Sequence, residues 1–152
     1  MKKVIFLFSI LILFSCKKEK RVFHVHDVNI NQNATNKNHL KSTTEFISIA
    51  YFHLFDAVIP APDLSDLSVV YSSFGDKRLI EEMIIKNFLN DENEIPPINT
   101  PSFVSNTYKK LYNRAPDEYE LWFITNMIEE DSDLTAEIIY FSLMTAKEYR
   151  YY

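Results

Sequence analysis

From Ser42 onward, apolar and polar residues recur with the period of an amphipathic helix. Ser42-Thr43-Thr44-Glu45 has the capping-box spacing, in which a serine hydroxyl and a glutamate three residues later satisfy backbone donors reciprocally. The helix that follows is expected to run to about Asp56. Its apolar set (Phe46, Ile47, Ile49, Ala50, Tyr51, Leu54, Phe55) covers more than half the circumference, which predicts burial on several sides. Pro60 and Pro62 stop it, and Asp63 or Ser65 restarts a helix with Leu64, Leu67, Tyr71 and Phe74 on one stripe. Gly75, the only glycine, is expected to close that helix as a left-handed C-cap. Asp76 then caps a helix over 77–89 with Ile80, Met83, Ile84 and Phe88 inward. Residues 90–94, followed by Pro96-Pro97, read as a link.

The plan then repeats. Thr100 or Ser102 caps, Pro101 stands where an N1 proline is tolerated, and Phe103, Val104, Tyr108, Leu111 and Tyr112 form a stripe. Pro116, Asp117 and Glu118 open the next helix, which carries Leu121, Trp122, Ile124, Met127 and Ile128 up to the acidic break at 129–133. Ser132 or Asp133 caps a last helix with Leu134, Ile138, Phe141 and Met144 or their neighbours inward. The two halves also align. Phe46, Tyr51, Leu54, Phe55 and Asp56 pair with Phe103, Tyr108, Leu111, Tyr112 and Asn113 at an offset of 57; Asp63 and Leu67 pair with Asp117 and Leu121 at 54; Leu79, Glu82 and Ile84 pair with Leu134, Glu137 and Ile139 at 55. The expected fold is all-α, a helical bundle of two pseudo-repeated three-helix units, 42–95 and 96–152.

The first fifteen residues do not belong to that bundle. Lys2 and Lys3 precede an apolar run over 4–14 that is too short for a stable membrane anchor and reads as a secretory signal peptide. Leu13-Phe14-Ser15-Cys16 resembles the bacterial lipoprotein cleavage box, although Phe14 is bulkier than is usual there. The resemblance implies cleavage after residue 15 and acylation of Cys16, palmitate included. Cys16 is the only cysteine, so it has no disulfide partner, and lipidation explains both its presence and its solitude. Several acyl chains hold a protein on a membrane essentially for good. Residues 16–41 read as a flexible lipidated tether, with one alternating stretch over 22–31 that has the pattern of a short strand.

Charge sharpens this division. Lys17, Lys18, Lys20 and Arg21 against Glu19 place +3 beside the lipid, where an anionic membrane surface attracts it, while residues 22–152 carry 10 basic and 20 acidic side chains. An acidic body of that kind argues against nucleic acid, which is not expected as a partner. One glycine in 152 residues also removes the Gly-rich phosphate loops, and with them nucleotide-dependent enzymes of those types, so no nucleotide is expected as a partner. No covalent haem motif exists, so no cofactor is expected.

Residues 103–152 resemble a small all-helical domain of unknown function found in bacterial secreted and surface proteins, itself similar to the linker domain of phycobilisome rods. The matching pattern is Phe103, Tyr108, Leu111, Arg114, Pro116, Glu120, Leu121, Trp122, Thr145, Glu148 and Tyr149. The preceding fifty residues match more weakly, with Ile59-Pro60 where Arg-x-Pro should stand, and Asn113 replaces the glycine usual before the arginine. The resemblance implies a helical fold with Tyr149 packed inside, and an interaction role without catalytic residues.

Few residues carry candidate chemistry. His24, His26 and Asp27 have the spacing of metal ligands but lack a fourth, so no metal site is expected. His53 is expected at the edge of the first helix without a special partner. The acidic clusters at 81–82, 91–94 and 129–133 read as solvated helix ends, 129–133 equally well as a loose calcium site without the spacing of a defined calcium loop, and Arg114 as a tie between its turn and Glu118 or Glu120. The expected function is therefore that of a non-catalytic envelope lipoprotein, on the outer membrane through Cys16, that binds another envelope protein as a subunit or adaptor. The alternative is binding or hydrolysis of cell-wall glycan by a helix-borne carboxylate. Arg150, Tyr151 and Tyr152, of types enriched at interface hot spots, are the candidate partner-binding residues.

Overall fold

The computed structural model describes residues 37–91, 93–98 and 102–151. Cys16, the tether to residue 36, His24, His26, Asp27, the strand-like stretch over 22–31 and Tyr152 lie outside the described residues. The fold is all-α, with six α-helices among the described residues. They are α1 (Thr43–Phe55), α2 (Ala61–Ser73), α3 (Lys77–Asn90), α4 (Phe103–Tyr112), α5 (Glu118–Glu130) and α6 (Ala136–Met144), followed by a 3-10 turn over Lys147–Arg150.

Local chemistry sets the helix ends. Ser42 and Glu45 form the capping box at α1, and the Asp76 side chain accepts from Leu79 N at α3. Asp117 and Glu120 make a second capping box at α5. Three boundaries differ from expectation. α2 begins at Ala61 because Pro62 falls in its first turn, where a missing N–H costs nothing. α6 is capped by Thr135, whose hydroxyl accepts from Ile138 N, and not by Ser132 or Asp133, which lie in the turn before it, where Asp133 N donates to the Asp131 carboxylate. Gly75 is not left-handed: Phe74 ends α2 in extended conformation, and the Lys77 ammonium takes the Tyr71 and Phe74 carbonyls at 2.7 and 2.8 Å. With those carbonyls satisfied, the helix end has no need of a positive φ. The left-handed caps are Asp56 (φ 47°) and Asn113 (φ 54°), each donating its backbone N–H to the carbonyl four residues back.

The core runs through all these helices except α5, which reaches it only through the half-buried Ile124 and Ile128. α1 packs on α2 and α3, α4 packs on α5 and α6, and α3 meets α6 to join the two sets. Phe46, Ile47, Ala50 and Leu54 of α1 are buried, as are Phe103, Val104, Thr107 and Leu111 of α4. α6 buries Ala136, Ile139, Tyr140 and, as expected, Met144, and leaves Ile138 exposed, so its inward face lies about one residue round from the one expected. Apolar on most of its circumference, α6 has its inward side chosen by α3 and α4 rather than by its own pattern. Met83 of α3, expected inward, is exposed for the complementary reason: Ile85 and Glu81 occupy the buried face.

Candidate functional site

α5 is held at its N-terminus by a charge knot. Arg114, on the turn after α4, donates from Nη1 and Nη2 to both carboxylate oxygens of Glu120 at 2.7 Å, and from Nε and Nη2 to both oxygens of Glu148 at 2.8 and 2.7 Å. The guanidinium also lies 5.2 and 5.6 Å from the ring centres of Tyr108 and Tyr112. Lys37 adds a cation 3.3 Å from Glu148. Hydrogen bonds from Arg114 hold the Glu148 carboxyl below the usual range, and bonds to both carboxylates push the Arg114 guanidinium further up. Burial, with Glu120 nearby, pushes Tyr108 up to about 12. Every strong group in the knot is thus paired, which makes it a fastening with no free acid or base. Of the two partners expected for Arg114, Glu120 is the one used, and Glu148 is the one the spacing did not suggest.

What the knot fastens is an exposed aromatic ridge. Tyr119, Trp122, Phe123 and Met127 follow one another at helical spacing on α5 and are 65, 48, 46 and 40% exposed. The Tyr119 ring lies 6.0 Å from Trp122 and stacks at 5.9 Å with Phe123. Between Arg114 and Lys147 the chain carries eight carboxylates and no Lys, Arg or His, so the ridge's own helix and the segments that flank it in sequence are acidic. Asp117 and Glu118 flank one end, and Glu129, Glu130 and Asp131 the other.

The C-terminal candidates are built into the fold. Tyr149 is fully buried, as the family resemblance implied, with its ring edge against Phe46 and its hydroxyl 2.9 Å from His53 Nδ1. His53 is therefore not unpartnered. The burial that seats it against Tyr149 lowers its pKa to about 4, helped by the charges of Lys41 and Lys110. Lys41 donates from Nζ to the Tyr149 carbonyl and stands 3.9 Å above the ring; burial, then Lys37, lowers it to about 8. Arg150 Nε lies 3.1 Å from Oε2 of the buried Glu81, whose Oε1 accepts from the Tyr71 hydroxyl at 2.7 Å. Tyr151 bridges to Leu40, and Lys41 N donates to the Arg150 carbonyl. Arg150 and Tyr151 thereby lock the start of the helical body to its end.

An open groove of about 660 Å³ lies along α2, lined by residues such as Thr44, Leu64, Ser65, Ser68 and Val69, with no ionisable side chain in its wall. Among the described residues no cluster of His, Cys, Asp or Glu is placed to hold a metal ion, and no helix is long and apolar enough to cross a membrane. Comparison with known proteins finds no matching family model, no similar curated protein and no similar solved structure.

Proposed function

We propose that this chain is a non-catalytic envelope lipoprotein, held at the outer membrane through lipid on Cys16, whose helical body binds another protein. The observation that carries the proposal is the α5 ridge: three large aromatics at helical spacing, exposed and fixed in place by the Arg114 knot. Exposed aromatic patches of this kind mark interaction surfaces, and rigid aromatics are the side chains that lose least entropy on contact. Arg150 and Tyr151 are occupied within the fold, so the binding surface is assigned to α5 in preference to the tail. Glycan hydrolysis is the weaker reading. The buried Glu81 is held by Tyr71 and Arg150, and the α2 groove offers no carboxylate.

Duplication and the phycobilisome-linker resemblance belong to the same proposal. Aligned residues Asp56 and Asn113 share the left-handed cap, and aligned aromatic pairs Tyr51/Phe55 and Tyr108/Tyr112 both form ring contacts, at 4.4 and 5.2 Å. Arg114, Glu120 and Glu148, three positions of the family pattern, meet in one knot.

Two experiments test the proposal. A photo-crosslinking side chain at Phe123 should yield a protein adduct in the native envelope, whereas the same group at exposed Lys86 on α3 should not. Cys16→Ser should leave an uncleaved precursor or release the protein from membranes; a mature-length chain that still fractionates with membranes would refute the lipid anchor.

A further inference from the structure

The charges around the α5 ridge narrow the class of partner. The ridge ends in carboxylates both ways: Asp117 and Glu118 before Tyr119, and Glu130 three residues past Met127 on the same stripe, with Glu129 and Asp131 beside it. These two acidic ends are separated by roughly 18 Å along the helix at 1.5 Å per residue. A second copy of α5 laid across the first would set acid against acid in either orientation, and an anionic bilayer would meet the same repulsion. A sugar chain stacking on the rings would find only the Tyr119 hydroxyl and the Trp122 indole N–H as polar atoms of the ridge itself, while the carboxylates that could grip its hydroxyls stand at the two ends. The surface is also a helix, with its backbone groups bonded internally, so it offers no sheet edge for strand addition.

We propose that the ridge takes a basic amphipathic helix of a second protein, its apolar stripe packed on Tyr119, Trp122, Phe123 and Met127 and its Lys or Arg residues meeting the carboxylates at the two ends. Helix-on-helix packing buries the ridge, and the two cationic ends fix register and orientation. The inference rests on the protein-binding reading of α5 and adds the partner's chemistry.

Trp122 is the only tryptophan in the chain, so its fluorescence reports contact at the ridge directly. The probe is a synthetic tryptophan-free helix of leucine and lysine, about four turns long so as to span the ridge, added to the purified full chain. A leucine and glutamate helix of equal length is the control. The Leu/Lys helix should give a saturable blue shift that added salt weakens. Phe123→Ser, at an exposed position, should leave thermal stability unchanged and weaken binding about tenfold, as loss of a hot-spot aromatic does. Glu129→Gln with Glu130→Gln should weaken binding and reduce its salt dependence.

Equal binding of the Leu/Glu helix, or binding indifferent to Phe123→Ser, overturns the proposal. So does a blue shift of the chain alone that rises with concentration and tracks a dimer in light scattering. A shift produced by phosphatidylcholine vesicles or by soluble peptidoglycan fragments, with none from the Leu/Lys helix, overturns it in favour of those ligands. Failure here alongside a protein adduct at Phe123 in the envelope discards the basic helix and keeps the protein-binding reading; absence of the adduct discards the reading itself.

Discussion

Arg114 and Glu148 stand 34 residues apart in sequence and are joined by two hydrogen bonds, Nε to Oε1 at 2.8 Å and Nη2 to Oε2 at 2.7 Å. The pair ties the turn after α4 to the 3-10 turn at the C-terminus. Because the same guanidinium also grips Glu120, one side chain closes three segments. Arg114→Ala should destabilise the fold by ~2–3 kcal/mol, the scale of charge-assisted bonds lost from partly buried partners. Arg114→Lys should recover less than half, since an ammonium cannot serve two carboxylates bidentately. Urea denaturation of the three proteins checks both. A lysine variant as stable as the parent would reduce the knot to simple charge neutralisation.

The two left-handed caps and the glycine that is not one give a second test. Asn113 sits at φ 54°, where a Cβ-bearing residue without a short polar side chain is strained; Gly75 has no positive φ and open space around a built Cβ. Asn113→Ala should therefore cost ~1 kcal/mol, and Asn113→Gly should be neutral or better. Gly75→Ala should stabilise by ~0.4–1 kcal/mol, by restricting the unfolded chain. Thermal midpoints rank the three, and a destabilising Gly75→Ala would contradict the backbone geometry at that turn.

These positions also mark how far local pattern reaches. Helix number, the Ser42/Glu45 and Asp76 caps and the α1 and α4 cores were legible because each rests on residues within a turn or two of one another. Gly75 misled although its substitute is local: the Lys77 ammonium, three and six residues on, satisfies the end of α2, a side-chain cap that the rarity of glycine cannot reveal. His53 misled for a different reason, its partner Tyr149 being 96 residues away. The α5 ridge was present in the sequence as Tyr119, Trp122 and Phe123 at helical spacing, but an aromatic stripe reads equally well as core. Only the packing of α5 on α4, with Ile124 and Ile128 turned to the core, sets that stripe outward.

His53 makes stability depend on pH. Its folded pKa lies at about 4, below the ordinary 6.5, through burial first and then Lys41 and Lys110. The unfolded chain takes the proton first as pH falls, so the contribution is complete above 6.5 and is lost as pH drops from 6.5 towards 4. The loss has a ceiling of ~3 kcal/mol at 1.36 kcal/mol per pH unit. His53→Gln should flatten the stability curve in that window while leaving the later loss from Glu148, whose carboxyl is also depressed, at lower pH. An unchanged slope between pH 6.5 and 4 in the variant would assign the acid sensitivity elsewhere.

Arg150 decides whether the C-terminus is structure or surface. Its Nε lies 3.1 Å from Glu81 Oε2, and the Glu81 side chain is 8% exposed against 33% for Arg150. Removing the cation leaves a buried carboxylate with only the Tyr71 hydroxyl, and such an unpaired charge is expensive even where the intact pair contributes little. Arg150→Ala should therefore cost ~2–3 kcal/mol, with the partial exposure of the arginine keeping it under the full buried-pair penalty. Glu81→Gln in the same chain should restore part of it, because the amide has no charge to strand. Chemical denaturation of the two single variants and the double variant gives the coupling between them, expected to exceed ~0.5 kcal/mol for residues in contact. If Arg150→Ala leaves stability unchanged but abolishes the Phe123 crosslink in the envelope, Arg150 is an interface residue and the partner covers the tail as well as the ridge. If it lowers stability and the crosslink survives at temperatures where the variant is folded, its work is internal, and α5 alone carries the contact.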